Sequence, residues 1–320
     1  MPLSPPNLNN RVMKQSKAKK MGKQKAVVAI GVFDGVHLGH RALLKELAFL
    51  AKQTHATPVA LTFRNHPEDV LAGGSKVPFL LPREATFRLL KKYGAAKVNL
   101  IPFTLAFAHR SPEAFIQWLC RRFNLKGVVV GDNFRFGDKA EGDVAMLRRE
   151  GLKRGFHVTA VPAVKMRGAT ISSTRIRRCL MEGRLGEANA LLDRPYELLG
   201  LVSHGKHVGH QIGFPTANLS EVPQVLPRDG VYACAVPIGR QLYRAAMNLG
   251  KRPTFKEDDH RRTAEVHIMN FHGHLYGKTL RVQLLRYIRP EKRFLTLRAL
   301  TAQIKRDIVK VNKVKLPKYG

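Results

Sequence analysis

The chain has 320 residues, 44% apolar and 25% charged, enough for two domains with separate cores. Its 56 Lys and Arg against 23 Asp and Glu leave a charge of +33, which draws phosphates of every kind and selects among none of them. No uncharged apolar stretch reaches the ~18–20 residues of a membrane span, and no apolar segment follows the basic N-terminus as a secretory leader requires. Cys120, Cys179 and Cys234 are far apart, which argues against a disulfide scaffold or a cysteine zinc site and for a reducing, cytoplasmic setting.

Residues 1–24 read as a solvated basic arm. The run from Arg11 to Lys25 holds seven basic residues and no acidic one. The competing reading is a nucleic-acid-binding protein, but base stacking needs aromatics among the basic residues and the arm has none. No specific nucleic acid and no membrane are therefore expected as partners, and nothing in the sequence specifies an oligomeric state.

From Ala26 the pattern is that of βαβ units. Ala26–Gly31, Pro58–Phe63, Ala96–Ile101 and Gly127–Gly131 read as buried strands. His40–Lys52 and Ala85–Lys92 carry helical apolar faces, and Ser111-Pro112-Glu113 opens another helix. This alternation predicts an α/β domain over residues 25–186, a parallel sheet with helices on both faces. Ligands in such sheets bind beyond the carboxyl ends of the strands, where GVFDGVHLGH (31–40) and GDNFRFG (131–137) fall.

Past Gly186 the signals become short strands and turns: ELLGLVSHG, GVYACAVPIG, QLYRAAMNLG, AEVHIMNF and LRVQLLRYI, with IGRQ and FHGHLYGK as hairpin turns. An antiparallel barrel or sandwich over residues 187–320 follows, closed by a helix with Leu297, Leu300, Ile304, Ile308 and Val311 on one face. The boundary falls near residues 186–194.

A helix beginning near Gly39 leaves its first N–H groups free, a ready phosphate site. His37 and His40, three apart, can face one ligand, and Gly31, Gly35 and Gly39 let backbone approach it. Ser172, Ser173 and Thr174 are N-cap candidates, and with Arg175 they would form a polyphosphate clamp; a plainly capped helix is the equal alternative. Thr216 and Asn218 are neutral oxygen donors of the kind Mg²⁺ shares with phosphates, in a loop whose glycines can fold over a nucleotide; composition alone favours a plain long hairpin loop. Alternation places Glu265 and His267 on one strand face, Val266 and Ile268 on the other.

Together GVFDGVHLGH, TFRNHP, GDNFRFG, ISSTRIR, GFPTAN, NLGKRPTF, EVHIMNF and LYGK resemble the bacterial bifunctional riboflavin kinase/FAD synthetase family over residues 25–312. The resemblance implies a Rossmann-like HxGH nucleotidyltransferase domain and a six-stranded riboflavin kinase barrel. It implies phosphorylation of riboflavin to FMN by one ATP and adenylylation of FMN to FAD by another, with Mg²⁺ and with Mn²⁺ not distinguished from it. By resemblance His37 and His40 contact the ATP phosphates, Ser172–Arg175 the β- and γ-phosphates, and Asn133 the nucleotide–flavin pocket. Gly31, Phe33, Asp34, Gly35, Gly209 and Gly213 belong to the nucleotide- and flavin-binding segments, Thr216 and Asn218 hold the metal, and Glu265 is the base. Departures from the family pattern are Asn65 for proline, Asp193 for glycine, His210 for arginine and Asn270 for aspartate. An imidazole grips phosphate less firmly than a guanidinium, so a chain with a weakened kinase is the alternative within the class.

Overall fold

The computed structural model describes residues 24–73, 77–204, 212–251 and 262–317; the arm to residue 23, and with it Gly209 and His210, lie outside these. Five parallel strands form the first half: β1 (Lys25–Ile30), β2 (Thr57–Phe63), β3 (Lys97–Ile101), β4 (Asn124–Gly131) and β5 (His157–Val161). Their order, β3-β2-β1-β4-β5, reverses direction at β1. The chain leaving β1 therefore crosses the crevice where open α/β sheets bind ligands.

Alternation along β1 fills two cores. Val27 and Ala29 pack with Leu44 and Leu47 of α1 (Leu38–Gln53) and with Leu89 and Leu90 of the Arg83–Lys92 helix. Val28 and Ile30 pack on the other face with Ile116 and Leu119 of the Pro112–Arg122 helix and Leu147 of the Val144–Arg154 helix. A strand buried on both faces has to be apolar throughout, which is why AVVAI reads as it does. Ser111 caps the Pro112–Arg122 helix and Pro112 stands at its first position, as the spacing predicts.

The second half is a closed antiparallel barrel of six strands, named here B1 to B6: B1 (Tyr196–Ser203), B2 (Ala217–Ser220), B3 (Gly230–Ile238), B4 (Gln241–Lys251), B5 (Arg262–Ile268) and B6 (Thr279–Arg289). Gly239 and Arg240 make the two-residue turn between B3 and B4, as expected of IGRQ. FHGHLYGK is not a hairpin turn. B5 pairs with B4 and B2, while B6 pairs with B3 and B1, so this segment crosses from one part of the wall to another. The closing helix spans Leu297–Asn312.

Two helices link the halves, Ser173–Met181 and Leu185–Leu192. Ile176, Leu180, Leu185, Leu191 and Leu192 share one apolar core with Tyr196, Tyr232, Val266 and Val282 of the barrel. Asn189 reinforces this: its amide donates to the Leu284 carbonyl at 2.9 Å and accepts from the Tyr196 N–H at 2.7 Å.

Candidate active sites

Beyond β1 the backbone makes a tight turn with Phe33, Gly35 and Val36 all at positive φ (53°, 76° and 40°). Glycine tolerates this, but Phe33 and Val36 cost on the order of 1–3 kcal/mol each, so the surroundings must hold them. At Gly35 a Cβ would be strained by the positive φ and would also press to 2.7 Å on the tip of Leu80. His37 ends the turn and caps α1, its Nδ1 accepting from the His40 N–H at 3.3 Å. The two imidazoles stack 3.7 Å apart, and the Phe33 ring packs edge-on to His40 at 5.3 Å. Gly39 permits this, because a Cβ there would lie 3.1 Å from the His37 ring.

Burial first, and then the Arg194 charge, lower the pKa of His37 to about 4. Burial, His37 and Arg194 hold His40 well below the ordinary histidine range. Both rings are therefore neutral at pH 7. Because Nδ1 of His37 accepts a hydrogen bond, its proton sits on Nε2. Nδ1 of His40 is enclosed and has no partner among the described residues.

Asp34 is buried and accepts from Arg177 Nη2 at 2.6 Å and from the Leu80 N–H at 2.8 Å. Desolvation still raises its pKa to about 6, against Arg177 and the backbone donors. Asp34 thus ties the turn to the Ser173–Met181 helix. Ser172 caps that helix, accepting from the Arg175 N–H at 3.2 Å, and Ser173 Oγ donates to the Asp34 carbonyl at 2.9 Å. Thr174 is exposed. Arg175 faces protein acceptors: Glu187 at 2.8 Å and the carbonyls of Met166 and Ala169 at 3.1 and 2.8 Å. Glu187 and these two carbonyls thus occupy the Arg175 guanidinium.

Gly31 lies immediately past β1, and Asn133 is exposed just past the end of β4. In TFRNHP, Asn65 clamps the Phe103 backbone with two hydrogen bonds, of 2.8 and 3.0 Å, and His66 caps the Pro67–Leu71 helix. A mainly apolar cavity of about 290 Å³ opens beside this segment, walled by Asp34, Thr62, Phe79, Phe87 and, from the barrel side, Gln224. Neither His37, His40 nor Asn133 is in its wall.

On the barrel, Glu265 stands directly between Asn248 of B4 and Asn218 of B2 in the strand register. Directly paired residues share a face, so the three project outward together while Ala264, Val266 and Ile268 fill the barrel. A groove of about 210 Å³ between this wall and the closing helix contains Thr216, Asn248, Glu265 and Arg289. The His267 Nδ1–H donates to the Pro215 carbonyl at 2.8 Å, anchoring the segment that carries Thr216. Arg289 grips buried Asp307 of the closing helix through two donors, at 2.9 and 2.8 Å, and so fixes the far side of the groove. Gly213, at φ 81°, is exposed at the mouth of the same loop.

Thr216 and Glu265 line one groove, whereas Asn218 pairs with Glu265 in the strand register but lines a separate cavity with Ser203 and Leu219. Asn248, Arg289 and Asp307 were missed, since strand pairing, barrel closure and the packing of the closing helix bring them here. Arg194 was missed too: it reaches from the link before B1 to the carbonyls of Gly35 and Val36.

An α/β domain with paired histidines at its switch point, followed by a closed barrel with a carboxylate on its outer wall, is the build of a two-domain group-transfer enzyme. The FAD synthetase family matches residues 19–175 and the riboflavin kinase family residues 192–315. The bifunctional riboflavin kinase/FMN adenylyltransferase of Listeria monocytogenes is 37% identical over 88% of this chain and 90% of its own. That of Escherichia coli K12 is 38% identical over the same shares. A Streptococcus pneumoniae crystal structure described as a macrolide-efflux protein superposes with a TM-score of 0.85 at 32% identity, covering 93% of this chain and 97% of that one. Among the described residues no helix is long and apolar enough to cross a membrane. The chain belongs to the bifunctional riboflavin kinase/FMN adenylyltransferase family.

Proposed function

We propose that the barrel transfers the γ-phosphoryl group of ATP to the 5′-hydroxyl of riboflavin and that the α/β domain transfers AMP from a second ATP to the FMN formed. The observation that carries this reading is the contrast between the two sites: a carboxylate flanked by amides on the barrel, and neutral stacked imidazoles at a helix N-terminus in the α/β domain.

A hydroxyl nucleophile has a proton to lose, and a positioned base is worth ~10²–10⁴ in rate. Glu265 takes that proton as the hydroxyl oxygen bonds to the γ-phosphorus and the bond to the β-phosphate oxygen breaks. Asn248 and Asn218 orient the carboxylate from either side. Among the described residues no group of three His, Cys, Asp or Glu could hold a metal ion. Neutral Thr216 and Asn218 fit Mg²⁺ instead, an ion that brings most of its charge balance from substrate phosphates and keeps its own waters. These two residues would hold the ion, and it would neutralise charge on the ATP phosphates. Mn²⁺ suits the same oxygens.

In the second step the acceptor is already a phosphate anion, so no base is needed. The FMN oxygen bonds to the α-phosphorus and pyrophosphate leaves. His37 Nε2–H and the first amides of α1 offer donors where charge builds, each such donor being worth ~10²–10³. Neutral imidazoles serve as donors with no proton exchanged. Ser172–Arg175 act on the β- and γ-phosphates, and Asn133 contributes at the end of β4. We assign residues 25–186 and 187–320 to the two activities, which act in the cytoplasm.

Incubation of the purified chain with riboflavin, ATP and Mg²⁺, followed by flavin chromatography, tests the reading. FMN should rise first and FAD follow. FAD from added FMN without any FMN from riboflavin would remove the kinase half, and no product from either substrate would remove both.

A further inference from the structure

Taking His37 and His40 as the adenylyl-transfer site, we propose that Arg194 is a positioning residue for that reaction, setting both imidazoles by holding the Gly35–Val36 turn from behind. Three consecutive carbonyls of the turn accept from side chains that follow the sheet in sequence. Ser173 Oγ takes that of Asp34, and Arg194 takes those of Gly35 and Val36. Arg194 Nη1 also donates to the Leu192 carbonyl at 3.2 Å, which anchors the guanidinium to the end of the preceding helix. Its Nε is enclosed with no partner among the described residues.

Arg177 and the Leu80 N–H hold the Asp34 carboxylate and the core holds Phe33 and Val36, while the last two carbonyls of the turn are held by Arg194. The turn's short 3-10 segment, Asp34–Val36, has no side-chain cap, and Phe33 and Val36 stand in the left-handed region. Relaxation of that backbone would rotate the peptide leading into His37, whose Nδ1 starts α1 and whose ring stacks on His40. The hydrogen bonds of Arg194 go to backbone carbonyls, so it fixes the rings through the backbone. Burial favours their neutral forms first and the Arg194 charge adds to it; the other charged groups packed about the turn are the Asp34–Arg177 and Arg41–Asp193 pairs, each internally neutralised. Since Pro195 and Tyr196 follow directly, the anchor is continuous with the first barrel strand.

The test compares Arg194→Met, Arg194→Lys and the parent in both steps, with histidine NMR titrations alongside. The parent must make FAD from FMN; if it does not, the reading of the α/β domain falls and this inference with it. Given that activity, Arg194→Met should lose ~10²-fold in kcat for FAD formation, the scale of a misplacement of about 1 Å, with KM for ATP little changed. FMN formation from riboflavin should be untouched, and the His37 titration should move up toward the ordinary histidine range. Arg194→Lys keeps the charge but loses one carbonyl, and should restore the titration while leaving kcat lowered. Asp193→Asn, which breaks only the ion pair with Arg41, should change neither step. A kcat for Arg194→Met within ~3-fold of the parent, or a loss carried wholly by KM, overturns the proposal while sparing the reading. An equal fall in both steps reports a merely structural residue and also overturns it. Should Arg194→Met not fold, Arg194→Lys decides alone: parental kcat overturns the proposal, and a lowered kcat with an intact kinase step supports it.

Discussion

The rings of His37 and His40 stack 3.7 Å apart at 16°, and each is held neutral by burial and by Arg194. Two imidazolium ions could not share that space, so the site has a pH limit written into its packing. The unfolded chain titrates these histidines near 6.5, whereas the folded His37 does so at about 4. Between those values the unfolded state binds more protons, and stability rises with pH.

Asp34 runs the opposite way. Its folded pKa of about 6 lies above its ordinary 3.8, so in that window the folded state holds the extra proton and stability falls as pH rises. Each term amounts to about 3 kcal/mol in order of magnitude, and Asp34 offsets one of the two histidines. Asp34→Asn removes the offset. Its melting temperature should drop more steeply than the parent's between pH 6.5 and 4.5; parallel curves from the two proteins would refute the compensation.

Glu265→Gln keeps the side chain's shape between Asn248 and Asn218 but cannot accept a proton. FMN formation should fall ~10²–10⁴-fold while FAD formation from supplied FMN is unchanged. Chromatography of both reactions on one preparation checks this.

Asp307→Ala strips the carboxylate from Arg289 and leaves a largely buried guanidinium unpaired. Loss of one partner of such a pair costs ~3–5 kcal/mol. Denaturant titration should show that loss. Asp307→Asn, which can still accept one hydrogen bond, should lose less.

A chelator should stop FMN formation, and either Mg²⁺ or Mn²⁺ should restore it, because Thr216 and Asn218 present neutral oxygens that do not discriminate sharply. Thr216→Ala should raise the Mg²⁺ concentration needed for half-maximal rate, read from an Mg²⁺ titration at fixed ATP.

The parallel sheet was legible because its signals are local. Apolar runs such as AVVAI and GVVVG lie between helical faces, and the Ser111-Pro112 start is a nearest-neighbour effect. The face of Glu265 followed from alternation. Less legible were features that depend on partners distant in sequence. FHGHLYGK has the composition of a turn, but barrel closure pairs its flanking strands with others. The strand Ala217–Ser220 is short and sits in a glycine-rich context that reads as a loop. Arg175 reads as a phosphate clamp in ISSTRIR, yet Glu187, on the next helix, holds its guanidinium. Arg177 and Arg194 gave no sign of their targets, since the Asp34 carboxylate lies 143 residues before Arg177 and a hydrogen bond to a backbone carbonyl, as Arg194 makes, leaves no mark on the accepting residue's identity.

The helices Ser173–Met181 and Leu185–Leu192 begin with the ISST segment of one activity and end inside the core of the other. No single cut in this stretch yields two clean halves. Severed before the pair, the barrel keeps its plug but the histidine turn loses Ser173, Arg177 and Arg194. Severed after it, the turn keeps Ser173 and Arg177, while the barrel is left with an oily open end. A lineage that separated the two chemistries onto different chains would have to rebuild this junction twice, so the fusion is harder to undo than two tethered modules would be.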